Sequence, residues 1–250
     1  MRKLSITFFL LLIVHLSAET VLLKGGLVHS ANGETATIQD ILISDNTIVG
    51  IGNNLIIDGN TRVIEVNGLP VTPGLISPMS NLGIVEINAL DVTRDDESDL
   101  LSAGFSIFNA FNPHSTVIPW NRSNGVTSAI STPSASSFPI FGLGSSFVLD
   151  GSLEINGSKD IAMFGRLGSS YGSRAETLSI LESLLEIGRM VKSTPVEEIL
   201  EMSLADQLEL QSQDIIALGK VVNDGLPFVL ETNRAVDILQ ALALKEKYGL

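Results

Sequence analysis

The stretch "VTPGLISPMSNLG", Val71 to Gly83, runs apolar residues up to a Pro-Gly and then into a small polar cluster. A strand that ends in such a cluster is where an α/β barrel places its chemistry, at the carboxyl ends of its strands. The cluster offers Met79 and Asn81, neither of them a strong acid, base or metal ligand. The rest of the chain decides whether this strand end belongs to a barrel and what it can do.

Before it, Thr20 to Thr72 reads as short strands: "TVLLKGGLVHS", then "DILISDNTIVGIG" as two strands around a turn at Asp45-Asn46, then "TRVIEVNG". After it, "GVTSAIST" and "DIAMFGRLG" read as buried strands and the second half turns helical. Ser173 and Glu176 form a capping box ahead of apolar residues at Leu178, Leu181, Leu184 and Leu185. Thr194, Pro195 and Glu197 suggest a second box with proline in the first turn. "PFVLET" reads as a strand, and Asn233 as the cap of a helix through about Tyr248, closed by Gly249. Gly142 and Gly144 in "FGLGSS" lack phosphate-loop spacing and read as a turn between strands. The acidic run "DDESD", Asp95 to Asp99, lacks the spacing of a calcium loop and reads as a solvated surface loop.

The order of elements makes this an α/β protein with three parts. Residues 1–18 are a signal peptide, 19–72 a small β-layer, and 73–250 part of a (β/α) barrel. The leader "MRKLSITFFLLLIVHLSA" has a positive start, an apolar run and small residues at its end, with Ala18 as the last removed residue. The run is too short for a comfortable membrane span, although an uncleaved anchor stays open. The expected location is outside the cytoplasm, the periplasm in a Gram-negative host. Without cysteine there is neither a lipid-modified cysteine nor a disulfide framework. The net charge of −13 disfavours nucleic acid and anionic membranes as partners. A helix ending in Gly249-Leu250 leads toward a further strand, and the expectation is a fragment of a longer chain.

Taken in order, "VLLKGGLVHS", "ILISDNTIVGIG", "VIEVNGLPVTPGLI", "FNPHSTVIPWNRSNGVTSAIST", "FGLGSSFVLDG" and "PFVLETNRAVDILQALALKEKYGL" resemble the amidohydrolase superfamily. The branch they are most similar to is the secreted, imidazolonepropionase-like one. The resemblance implies a TIM-type metal-dependent-hydrolase barrel beside a β-sandwich built from both chain ends. It also implies hydrolysis of carbon–nitrogen bonds other than peptide bonds. In the family, one or two divalent metals of zinc type acidify a water that attacks the carbonyl.

Laid on this sequence, the family's first His-x-His positions are Met79 and Asn81, and a later pair falls on Glu231 and Asn233. The remaining family ligands would lie beyond Leu250, and neither Lys192 nor Lys220 suits the bridging lysine of some branches, both being in helical context. Composition agrees: of three histidines, His15 sits in the leader, His29 in the β-layer and His114 in the loop "NPHST". Two isolated histidines do not make a multi-histidine zinc site. No catalytic residue is assigned, and the expectation is that the metal site is lost.

Met79 reads as a core or pocket-lining residue. Asn81 either lines a pocket or satisfies backbone groups at the strand end. Glu231 either binds a cation or works as an acid or base, or is simply salt-bridged. Asn81, Glu231 and Asn233 are the candidate substrate-binding residues, and Arg122 and Arg234 are candidates for an anionic ligand group. Two functions follow. One is a hydrolase with substitute ligands. The other, favoured by the residues, is an inactive barrel serving as a binding scaffold, a homo-oligomer or the partner subunit of an active homologue.

Overall fold

The computed structural model describes residues 19–134, 138–168 and 172–250; the signal peptide read from the sequence lies outside them. The chain divides into two compact units, one up to Pro73 and one from Gly74. No helix among the described residues is long and apolar enough to cross a membrane.

The first unit is one sheet around β1 (Thr20–Val28). This strand pairs antiparallel with β2 (Thr37–Ser44) and parallel with β4 (Arg62–Glu65) and β5 (Pro70–Val71). The expected hairpin joins β2 to β3 (Thr47–Gly52). Asp45 and Asn46 take φ of 50° and 60°, the left-handed pair that matches the natural twist of a two-residue turn. Where β1 bulges, the Gly25 N–H donates to Asp40 Oδ1 at 2.8 Å, so the unpaired backbone group is satisfied.

The second unit is a five-stranded sheet in the order β10-β9-β8-β7-β6. Its strands are β6 (Leu75–Ser80), β7 (Val126–Ser131), β8 (Ile140–Val148), β9 (Gly157–Leu167) and β10 (Phe228–Thr232). β6 and β7 pair parallel, as do β9 and β10, while β8 is antiparallel to both neighbours. The four strands other than β8 therefore share one direction, and their carboxyl ends form one rim.

One sheet face is covered by α2 (Arg174–Met190), α5 (Ser212–Asp224) and α6 (Ala235–Tyr248). The apolar stripe of α2 buries Leu181, Leu184 and Leu185 with Ile215 and Leu218 of α5, Leu244 of α6, and Met163 and Ile140 of the sheet. The Ser173–Glu176 capping box starts α2 as the sequence predicts. A second cluster joins α1 (Val117–Ser123) to the sheet through Ile118, Phe111 and Phe147, whose two rings stack 3.9 Å apart.

Three local readings are corrected. Gly142 and Gly144 lie inside β8 and form no turn. A Cβ at Gly142 would meet Phe105 O at 2.4 Å, and one at Gly144 the Phe164 ring at 2.4 Å, so close packing on both flanks accounts for the pair. α3 (Val196–Leu200) has no side-chain cap, because Pro195 itself stays extended at φ −57° and ψ 146°, leaving the helix to begin after it. α6 begins at Ala235 behind an extended Arg234, so Asn233 is not its cap. A short α4 (Ser203–Gln207) completes the set.

Candidate functional site

At the β6 and β7 end of the rim the organising group is Asp96, which is completely buried. Its carboxylate accepts from Arg94 Nε at 3.3 Å, from Asn81 Nδ2 at 3.3 Å and from the Ser134 hydroxyl. The backbone closes the same link, with Ser134 N donating to Asp96 O at 2.8 Å. Arg94 also pairs with Glu97 and donates to Asn88 O. The hydrogen bond to Asp96, and then its charge, hold the Arg94 guanidinium above its ordinary pKa. The solvated loop read at "DDESD" is thus corrected at Asp96. This residue ties the ends of two strands together, because its buried charge needs these partners.

At the β9 and β10 end, Glu231 and Arg166 are register partners. Glu231 Oε2 accepts from Arg166 Nε at 2.8 Å and lies 2.7 Å from Arg166 Nη2. The guanidinium sits 5.4 Å from the centre of the Phe141 ring, a cation–π arrangement. Behind the pair, Arg174 at the start of α2 donates to the buried Asp237 in the first turn of α6 at 3.1 Å. Both helices therefore begin at the rim with their amino ends linked.

Met79 is not a core residue: it is half exposed, with φ of 51°, at an irregularity in the β6–β7 register. Asn81 is engaged by Asp96, Glu231 by Arg166, and Asn233 is exposed. The sheet does not bring these positions together. β6 and β10 are its opposite edges, four strand spacings or about 19 Å apart measured along the sheet. His29 and His114 are exposed, and Arg122 is committed to Leu149 O at 3.2 Å. The sequence reading missed Asp96 and Arg166, and its only hint of the first was an aspartate within an acidic run.

The residues do not fit a divalent metal. The place beside Glu231 that a cation would take is filled by Arg166, and the Asn81 amide nitrogen points to Asp96. Among the described residues no group of three or more His, Cys, Asp or Glu is arranged to hold an ion.

No family model matches the chain. Its structure is similar to that of an amidohydrolase from Thermotoga maritima MSB8, with a TM-score of 0.71 and 20% sequence identity. The fold is amidohydrolase-like. The match covers 92% of this chain and 62% of the Thermotoga chain, so this chain spans less than two thirds of its neighbour's length. A prolidase complexed with N-methylphosphonate-L-proline aligns over 45% of this chain and 25% of its own, at 22% identity and a TM-score of 0.33. That alignment is too partial to carry an argument. Against the amidohydrolase-like background, the five strands from β6 to β10 are a half-barrel sheet, and the rim described above is formed by the carboxyl ends of its parallel strands.

Proposed function

We propose that this chain belongs to an exported protein of the amidohydrolase superfamily, its imidazolonepropionase-like branch. In this reading the rim binds a small molecule and the protein serves as a scaffold or partner subunit of an active homologue. The observation that carries it is the Arg166–Glu231 ion pair, with contacts of 2.7 and 2.8 Å at the strand end where the resemblance expects a metal ligand. A carboxylate already neutralised by an arginine has little electrostatic call on a cation. Asn81, held on Asp96, serves in the same way as an oriented polar group.

A second reading is a hydrolase of carbon–nitrogen bonds other than peptide bonds. The similarity in fold to the Thermotoga amidohydrolase favours it. It requires a metal held by groups outside the described residues, with Glu231 freed from Arg166 to join them.

Metal content of the exported protein, measured by mass spectrometry beside Glu231→Gln, separates the two. Stoichiometric metal that falls in the variant overturns the scaffold reading. Absence of metal, with co-purification of a histidine-rich homologue, overturns the hydrolase reading. N-terminal sequencing of the exported protein tests removal of the leader after Ala18.

A further inference from the structure

Beside β6 lies a polar cleft of about 580 Å³, within the ordinary range for small-molecule sites. Its polar lining is Ser77, Ser80, Asn81, Glu86, Asn88 and Asn121, drawn from β6, the loop after it and α1. The backbone is bent to build this lining. Residues three apart fall on opposite faces of a regular strand. Here Ser77 pairs with Ala129 and Ser80 with Ser131, three residues against two, and Met79 takes its left-handed φ in between. The bulge brings Ser77 and Ser80 into the lining of one cleft, with the Ser80 hydroxyl donating to Ile130 O at 3.5 Å, and leaves the Met79 side chain half exposed.

The chemistry of the lining selects its ligand. Asn81 spends its amide nitrogen on Asp96 and Asn121 spends its own on Val117 O, which leaves the side-chain oxygen of each as an acceptor. The Ser77 hydroxyl and the Asn88 amide have no hydrogen-bond partner among the described residues. Among the described residues no lysine, arginine or histidine lines the cleft, which disfavours an anion. Glu86 is the one charged group there, and it already accepts from Asn112 Nδ2, Thr116 N and Thr116 Oγ1, so it is a poor counter-ion for an amine. Trp120, the only tryptophan of the chain, stands 72% exposed on α1, next in sequence to the cleft residue Asn121 but outside the cleft lining itself. Its exposed indole is a flat apolar surface on the helix that forms one side of the cleft.

We propose that this cleft binds a neutral polyhydroxylated ligand, a mono- or disaccharide. Its hydroxyls donate to Asn81 and Asn121 and exchange bonds with Ser77 and Asn88, while a ring face covers Trp120. The proposal deepens the reading of the rim as a small-molecule site through Asn81 and is independent of the Arg166–Glu231 pair, which belongs to the opposite edge of the sheet.

Because Trp120 is the only tryptophan, fluorescence titration of the intact protein reads this site directly. The probes are glucose, galactose, maltose and cellobiose, with ethanolamine and inorganic phosphate as charged controls, each repeated by calorimetry. The expected result is a saturable response to at least one saccharide and none to either control. Ser77→Ala and Asn88→Ala, each melting like the parent, should weaken binding about five- to tenfold, one neutral hydrogen bond apiece. Silence toward all four saccharides at tens of millimolar overturns the proposal. So does unchanged affinity in both variants, or a response to ethanolamine or phosphate that exceeds the response to saccharide.

Discussion

Asp214 offers the most direct test of how the second unit is held together. It is 1% exposed in the first turn of α5. Its Oδ1 accepts from Ser102 N at 2.9 Å and Gly104 N at 2.8 Å, and its Oδ2 from Gln211 N at 2.9 Å. One carboxylate thus closes the start of α5 and anchors a loop more than a hundred residues earlier. Gly104 permits the approach, since a Cβ there would lie 2.5 Å from Gln213 C. Hydrogen bonds to a charged acceptor contribute about 1.5–3 kcal/mol each, so three set an upper bound of about 9 kcal/mol. The Ser102 and Gly104 amides belong to a partly exposed loop that water can reach once it loosens. Asp214→Ala should therefore cost about 3–5 kcal/mol. Asp214→Asn keeps one oxygen for the loop and loses only the Gln211 bond, costing about 1–3 kcal/mol. Urea unfolding followed by the single tryptophan, which lies in the second unit, measures both as shifts in midpoint at constant slope. A loss below about 1 kcal/mol for Asp214→Ala, or equal losses for the two variants, refutes the clamp.

The remaining expectations concern smaller groups. Arg166 and Glu231 are part exposed, at 31% and 51% of their side chains, so a double-mutant cycle should give a coupling of about 0.5–1 kcal/mol in their favour; more than about 2 kcal/mol refutes a solvent-screened pair. Asp96→Ala should lower the midpoint of the second unit by about 3 kcal/mol, because Arg94, Asn81 and Ser134 lose a shared buried acceptor; a change within about 0.5 kcal/mol contradicts that. Met79→Gly removes a side chain from a left-handed position and should leave stability unchanged or raise it by up to about 1 kcal/mol, whereas a loss beyond that shows the side chain itself is needed. Asp150 accepts from Ser152 N and Asn156 Nδ2, and these bonds hold its pKa below the ordinary carboxylate value. A depressed folded-state pKa stabilises the protein above the unfolded pKa and ceases to do so as pH falls through the folded one. An NMR titration should place this carboxyl below the ordinary aspartate value, and Asp150→Ala should flatten the acid limb of the stability–pH profile. A titration at the ordinary value refutes the turn.

What the sequence made legible was local. The Asp45-Asn46 hairpin and the Ser173–Glu176 box are decided within four residues, by backbone φ and one reciprocal pair of hydrogen bonds. The candidate site depends on distant partners. Asp96 meets Asn81 across 15 positions and Ser134 across 38, and Arg166 meets Glu231 across 65. Nothing in "DDESD" distinguishes the one aspartate that is buried from its four neighbours in water. The glycines of β8 misled for a similar reason. Glycine signals a turn when read alone, and only Phe105 and Phe164, folded against it, give it a place inside a strand. Asn233 stood in a good capping context, yet its neighbour Arg234 took that position and the helix start was secured instead by Arg174 on Asp237.

The bulge in β6 also bears on what this strand end could be made to carry. A metal ligand is specified by the direction of its side chain as much as by its identity. Residue 79 stands in a left-handed turn of the strand, where a bulky side chain is strained whatever its chemistry. Exchanging Met79 and Asn81 for histidines would thus leave one imidazole aimed by the bulge and would strip Asp96 of a donor. A His-x-His pair aimed at one ion would need the extra residue removed from β6 together with both exchanges, three coordinated changes at one strand end.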